Sequence, residues 1–396
     1  MPHQISTRLR FYLQTLALAL LVMLTSQCAG SAAQADVLRV GGTHDLKRPS
    51  DAARVARDGD VVEIDAGVYA GDAAVWRQNR LTIRGVGGRA HLRADGAEVE
   101  GKAIWVIKGS DTTIEAVEFS KAAVSDGNGA GIRLEGTNLT VRDCYFHDNE
   151  DGILTGPNPA SEVVIERSEF AHNGTGDGQT HNIYIGKVKS FTLLYSYVHD
   201  AVVGHNVKSR AARNHIAYNR IMDEKEGRSS YAVDLPNGGL SFVIGNLIQH
   251  GPAAENPTIV SYGAEGLQHP VNQLYFVSNT VVNDLSAGNS RFLFVKPGGE
   301  PAEIVSNIFS GPGELLNGPG KLHGNVTAPK TDFVDSERYD YRPRAGARAV
   351  GRGVDPGSAA GVDLRPTAEY AHPLQMRPRR VAGSLDAGAL EYVGVP

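Results

Sequence analysis

The sequence predicts an all-β solenoid: a single-stranded parallel β-helix with an N-terminal cap and an irregular C-terminal tail. Eight strand-length segments, TIEAVEFS, LTVRDCYF, VVIERSEF, FTLLYSYV, HIAYNRIM, SFVIGNLI, LYFVSNTV and EIVSNIFS, begin at residues 113, 139, 163, 191, 215, 241, 274 and 303, so one unit recurs about every 24 to 33 residues. Each segment alternates apolar and polar residues, as a strand with one buried face must, and runs into a Gly/Asn/Asp-rich turn. The composition agrees: 46 Gly in 396 residues with 7% aromatic suits a turn-dense solenoid better than a globule built on an aromatic core. A unit this short cannot bury its apolar face unless neighbours stack on it, which places successive coils roughly 4.8 Å apart.

The elements follow in chain order. Arg8 and Arg10 precede an apolar run from Leu16 to Leu24, and Ala33-Gln34-Ala35 offers a small-x-small cleavage site. That pattern predicts a signal peptide over 1–35, cleaved after Ala35, and a secreted or periplasmic mature chain. Lipid attachment at Cys28 is the competing reading, opposed by the polar Gln27 before it. Past the leader, Cys144 is the single cysteine, so no disulfide within the chain is expected, and no other apolar run has the length of a membrane span. Loss of Arg8 and Arg10 takes Lys+Arg from 39 to 37 against 44 Asp+Glu, a net of −7 that argues against nucleic acid as a partner. A monomer is expected.

The mature chain then opens with SDAARVA, a short amphipathic stretch suited to capping the exposed edge of the first coil, and GDVVEIDAGVY, a strand and turn that start the helix. The β-helix domain is placed at 36–327. Within it the aligned positions Val117, Cys144, Ser168 and Ser196 give way to Asn219, Asn246, Asn279 and Asn307. Asparagines in register predict an inward ladder, since amides stack donor to acceptor along such an axis. Residues 328–396, rich in Pro, Arg and Gly, are expected to pack on the last coils rather than form a domain of their own.

The strand before each motif places the candidate chemistry. With Ile132, Ile153, Ile183, Val207, Val233 and Ile259 facing inward, the next residues, Arg133, Leu154, Tyr184, Lys208, Asp234 and Val260, form an outward row. Tyr184, Lys208 and Asp234 thus occupy neighbouring rungs, flanked by Asn182, Asn206 and Arg210. Such a row suits an acidic polysaccharide: β-elimination needs a base for the proton beside a uronate carboxylate, a cation on that carboxylate and an acid for the leaving oxygen. Lys208 is assigned as base, Arg210 as carboxylate clamp, Tyr184 or His205 as proton donor and Asp234 as the group that orients Lys208 or binds sugar hydroxyls. Asn182, Asn206, His181, Arg133 and Tyr262 are assigned to substrate binding.

The repeat, the opening GDVVEIDAGVY and the closing GVDLRP and LDAGALEY resemble right-handed parallel β-helix proteins of the pectate-lyase-like superfamily. NVKSRAARNHIAYN is also similar to the lysine-bearing strand and following turn of alginate and chondroitin lyases of the β-helix class, which puts Lys208 at the position of their base. This chain departs from them in having Asp234 where an arginine is expected one coil on, and Ala201–Gly204 where acidic calcium ligands are expected. No cofactor is assigned, and calcium is left open.

The same residues have plainer readings. Lys208 and Asp234 form a surface ion pair in one, Tyr184 is sheet packing, and His181 and His205 point inward and bond a turn carbonyl. His147, His172, His199 and His250 follow motifs at turns and read as turn hydrogen bonding, with no metal-ligand spacing among them. The loop NGTGDGQ at 173–179 precedes the site and can cover it. Hydrolysis, with Asp234 and either Asp177 or Glu265 as the carboxylate pair, uronan epimerisation, and non-catalytic binding of an anionic glycan are the alternative functions.

Overall fold

The structure is a computed structural model, and it describes residues 35–286 and 288–394. The signal peptide and Cys28 lie outside the described residues. From Val37 onward the chain forms one compact unit.

Each coil contributes to three parallel ladders. One is a ten-stranded sheet, the site face, built from Ala74–Trp76, Ala103–Ile107, Ala130–Leu134, Asp151–Thr155, Ile183–Ile185, Val207–Ser209, Val233–Leu235, Thr258–Tyr262, Arg291–Val295 and Glu314–Asn317. The recurring motifs supply the other two. Each motif is two strands, not one: HIAYNRIM divides into Arg213–Ala217 and Arg220–Met222, and SFVIGNLI into Leu240–Ile244 and Leu247–His250. The break falls at a left-handed residue before the ladder position, Ala116, Asp143, Arg167, Tyr195, Tyr218, Gly245, Ser278 and Ser306, with φ between 45° and 66°.

The ladder holds that corner. Asn219 N–H donates to Asn246 Oδ1, Asn246 N–H to Asn279 Oδ1, and Asn279 N–H to Asn307 Oδ1, at 3.0, 2.9 and 2.7 Å, and Asn325 extends the row by one coil. Ser168 and Ser196 carry it toward the N-terminus through their hydroxyls. A left-handed conformation costs a non-glycine residue about 1–2 kcal/mol, and each amide offsets it by satisfying a buried N–H and a carbonyl of the coil before.

Inside, Phe119, Phe146 and Phe170 stack at 5.0 and 4.7 Å between centroids, and Ile132, Ile153, Ile183, Val207 and Val233 are fully buried as expected. Cys144 is buried among them, its thiol pushed up to about 12 by desolvation, so it is inert. The helix Pro49–Val55 buries Ala52 and Ala53 against the first coil. Among the described residues no helix is long and apolar enough to cross a membrane.

After Val326–Thr327 the strands pair antiparallel, in Phe333–Asp335 with Asp340–Pro343 and Ala368–Ala371 with Gln375–Pro378. The tail reaches further back than the last coils. Phe333, Tyr341, Tyr370, Ala387 and Leu390 cover an apolar stripe of Tyr197, Met222, Leu247, Val282 and Ile308 on the third ladder, and Leu364 covers Phe242 and Val277 on the second. Outward apolar residues on five successive coils require that cover.

Candidate active site on the ten-stranded face

Register brings the predicted row together. Arg133 pairs with Leu154, Leu154 with Tyr184, Tyr184 with Lys208 and Lys208 with Asp234. Beyond Asp234 the expected alignment slips by one: Val260 pairs with Val233 and faces as it does, and the row continues through Ser261. Alternation within the segment is the same in either register, so it does not fix which residue of Thr258–Tyr262 pairs with Val233.

The centre of the site is a carboxylate held by two cations. Glu265, on the loop after Tyr262, receives Arg210 Nη1 at 2.6 Å and Nη2 at 3.0 Å, and lies 3.8 Å from Lys208 Nζ. Arg210 also donates Nε–H to the Tyr184 hydroxyl at 2.9 Å and Nη1–H to Asn237 Oδ1 at 2.8 Å. Lys208 Nζ sits 5.3 Å from the centroid of the Tyr184 ring, and Arg210 5.7 Å. The bidentate contact with Arg210 holds Glu265 below the usual carboxylate range. Because Tyr184 accepts from Arg210, its own hydroxyl proton is free for another acceptor.

Behind this cluster the groups are buried. Desolvation raises Asp234 to about 6 even with Lys208 beside it, and its Oδ1 has no hydrogen-bond partner. His205 Nε2 faces Asp234 Oδ2 at 3.5 Å, while its ring stacks on His181 at 4.6 Å. His205 N–H donates to His181 Nδ1 at 2.9 Å, so His181 carries its proton on Nε2; burial holds His181 well below the ordinary histidine range and takes His205 down to about 3. This corrects the assignment of His205 as proton donor: a buried imidazole that stays neutral has no acidic proton to give. Neither ring bonds a turn carbonyl. His250 does, to Asn256 at 2.6 Å, whereas His147 and His199 meet carboxylates.

Four substrate-binding assignments are overturned by burial. Asn182 and Asn206 are fully buried in a second amide ladder, Asn149 to Asn173 to Asn182 to Asn206 to Asp223, at the corner leading into the site face. Tyr262 is 1% exposed and donates its hydroxyl to the Gly239 carbonyl. His181, 1% exposed, is likewise a wall rather than a contact surface.

A cleft of about 690 Å³ runs from this cluster toward the N-terminal coils. Tyr184 and Arg210 stand at one end, Arg133, Asp151 and Lys187 line its course, and Asp177 with Gln179 on the 173–179 loop forms part of its rim. Arg133 makes no ion pair among the described residues. Desolvation lifts Asp151 to about 8, while the Gln179 N–H holds Asp177 low. Sequence reasoning passed over Asp151, because its position on the coil looked like a strand start.

A calcium site at Lys208 does not fit these residues. Ala201–Gly204 carry no carboxylate, Asp200 is held by His199, Asp223 is buried in hydrogen bonds, and Glu265 is neutralised by two cations. Among the described residues, the grouping of three His, Cys, Asp or Glu with ligand atoms within 4.8 Å is His91, Glu118 and His147, on another face.

The family described as "Right handed beta helix region" matches residues 66–248. Among solved structures, pectate lyase Pel9A superposes with a TM-score of 0.62 at 11% identity, covering 91% of this chain and 97% of its own. The chain is a right-handed parallel β-helix protein of pectate-lyase-like fold. An alginate lyase from Paenibacillus sp. str. FPU-7 superposes with a TM-score of 0.50 at 14% identity, covering 74% of this chain and 99% of its own. No curated protein sequence matches. At these identities the likeness is one of fold, and the chemistry rests on the β-helix's own side chains.

Proposed function

We propose that this β-helix protein is a secreted polysaccharide lyase that cleaves a uronate-containing polymer by β-elimination on the site face. The observation that carries the reading is the convergence of Lys208 and Arg210 on a single carboxylate, that of Glu265, with the Tyr184 hydroxyl bonded to Arg210 beside them. A substrate uronate that displaces Glu265 meets a bidentate guanidinium on its carboxylate, an amine beside it and a phenol with a free proton. Arg210 offsets the charge that builds on the carboxylate as the adjacent proton leaves. Lys208, which must have given up its own proton before the step and acts as the neutral amine, takes that proton, and Tyr184 gives one to the departing glycosidic oxygen. The cleft past Arg133 and Lys187 holds the flanking acidic sugars, and the two structural neighbours, a pectate lyase and an alginate lyase, support this substrate class.

The test is incubation of mature protein with a panel of uronate polymers, following the near-ultraviolet absorbance of unsaturated uronates. A signal on one polymer, lost in Lys208→Ala while binding of that polymer persists, is the expected result. The same absorbance growing unchanged in Lys208→Ala contradicts the assignment.

A second reading, glycoside hydrolysis, draws on one observation: Asp151 and Asp177 line the same cleft with protonation pushed in opposite directions, the pattern of a general acid and its partner carboxylate. It predicts new reducing ends without unsaturated product, and their loss in Asp151→Asn.

A further inference from the structure

Away from the cleft, side chains from three successive coils meet on the outside of the third ladder. His91 lies opposite Glu118, and His147 lies one coil beyond, opposite Ser120. Glu118 Oε1 is 3.3 Å from His91 Nδ1 and 3.1 Å from His147 Nε2, and one ligand atom from each residue lies within 4.8 Å of the other two. Donors at about 2.0–2.1 Å around a tetrahedral zinc ion are roughly 3.3–3.4 Å apart, so two edges of the triangle are near that length.

The far side of each imidazole is also held. His147 Nδ1 bonds Asp148 Oδ2 at 2.8 Å, and His91 Nε2 lies 2.7 Å from Ser120 Oγ. Such outer partners fix the tautomer and ring orientation of a metal-bound histidine. With its Nδ1 held by Asp148, His147 turns Nε2 on the Glu118 carboxylate, and a cation placed between them meets a donor atom of each. The nearby cations are engaged elsewhere, Lys121 with Asp148 at 3.2 Å and Arg93 with Asp95 at 2.8 Å. All three ligands are partly exposed, which leaves an approach from solvent.

We propose that His91, Glu118 and His147 form a binding site for a divalent transition-metal ion of the zinc class, with solvent completing the coordination. Two imidazoles and one carboxylate select zinc, nickel or copper over calcium. The ion cross-links three coils in a chain whose described residues hold no disulfide.

Titration of chelator-treated mature protein with Zn²⁺ by calorimetry, and with Co²⁺ by visible absorbance, tests the site. Wild type takes up one equivalent and melts at a higher temperature with Zn²⁺. His91→Ala and His147→Ala, checked for fold by circular dichroism, lose both effects, and Asp148→Asn weakens affinity by about 10–100-fold. His199→Ala, which removes a His–Glu pair with no second histidine among its bonded partners, binds as wild type does. No saturable uptake by wild type, with neither cobalt bands nor a thermal shift, overturns the proposal; so does full binding by both His91→Ala and His147→Ala.

Discussion

Glu265 decides how the Lys208 cluster behaves when no substrate is present. Its carboxylate is gripped by Arg210 through two bonds, and on the proposed lyase reading a substrate uronate must break them to bind. Replacing it by Gln removes the competing charge while keeping shape. Glu265→Gln is expected to lower KM for the polymer several-fold with kcat largely kept, read from initial rates; a collapse of kcat would instead make Glu265 part of the chemistry. Asp151 gives a second prediction. Its carboxyl stays protonated in the fold up to about 8 but ionises near 3.8 in the unfolded chain, so the folded state binds the extra proton between those values. Stability therefore falls as pH rises across that window. Asp151→Asn should flatten the decline of melting temperature from acid toward pH 8, and an unchanged slope would contradict the assignment. The outward row was legible at this scale because alternation alone sets it. Burial was not: Asn182, Asn206 and Tyr262 have the chemistry of sugar ligands, and only three-dimensional stacking turns them inward.

The amide ladder is the element that sets the corners. Four of its asparagines could be read from aligned positions, since side chains that share a rung share a register. The left-handed residue at each corner could not, because apart from Gly245 the positions are Ala116, Asp143, Arg167, Tyr195, Tyr218, Ser278 and Ser306, which carry none of the glycine signal that normally marks such a conformation. For the same reason each motif read as one strand is two. Asn279→Ala would strand the Asn246 N–H and the Val243 carbonyl inside the protein. A cost of about 1–3 kcal/mol per unsatisfied group is expected, measured by urea unfolding, with a smaller loss for the half-buried Asn325 at the end of the row. Equal losses at both positions would remove the case for a buried, cooperative ladder. The slip at Val260 marks the limit of counting along the chain: nothing in the strand itself reports which of its residues pairs with Val233.

Across the whole molecule, coils contact only their neighbours, so the C-terminal tail that spans several of them couples units that would otherwise act separately. Ending the chain after Thr327 would expose Tyr197, Met222, Leu247, Val282 and Ile308 together. Lower melting temperature and self-association, seen by light scattering, are the expected outcome; an equally stable monomer would show the cover to be dispensable. The tail's role as cover was visible in the sequence, while its reach to Tyr197 was not, since the stripe it covers is assembled from one residue per coil. The same logic governs function: a site made from one side chain per rung is read by testing one side chain. The most direct measurement is the near-ultraviolet absorbance produced from uronate polymers by wild type and by Lys208→Ala. Unsaturated product from wild type and none from Lys208→Ala, with polymer binding intact in both, is the expected result. Product formation that survives the loss of Lys208, or reducing ends released by wild type without unsaturation, would contradict it.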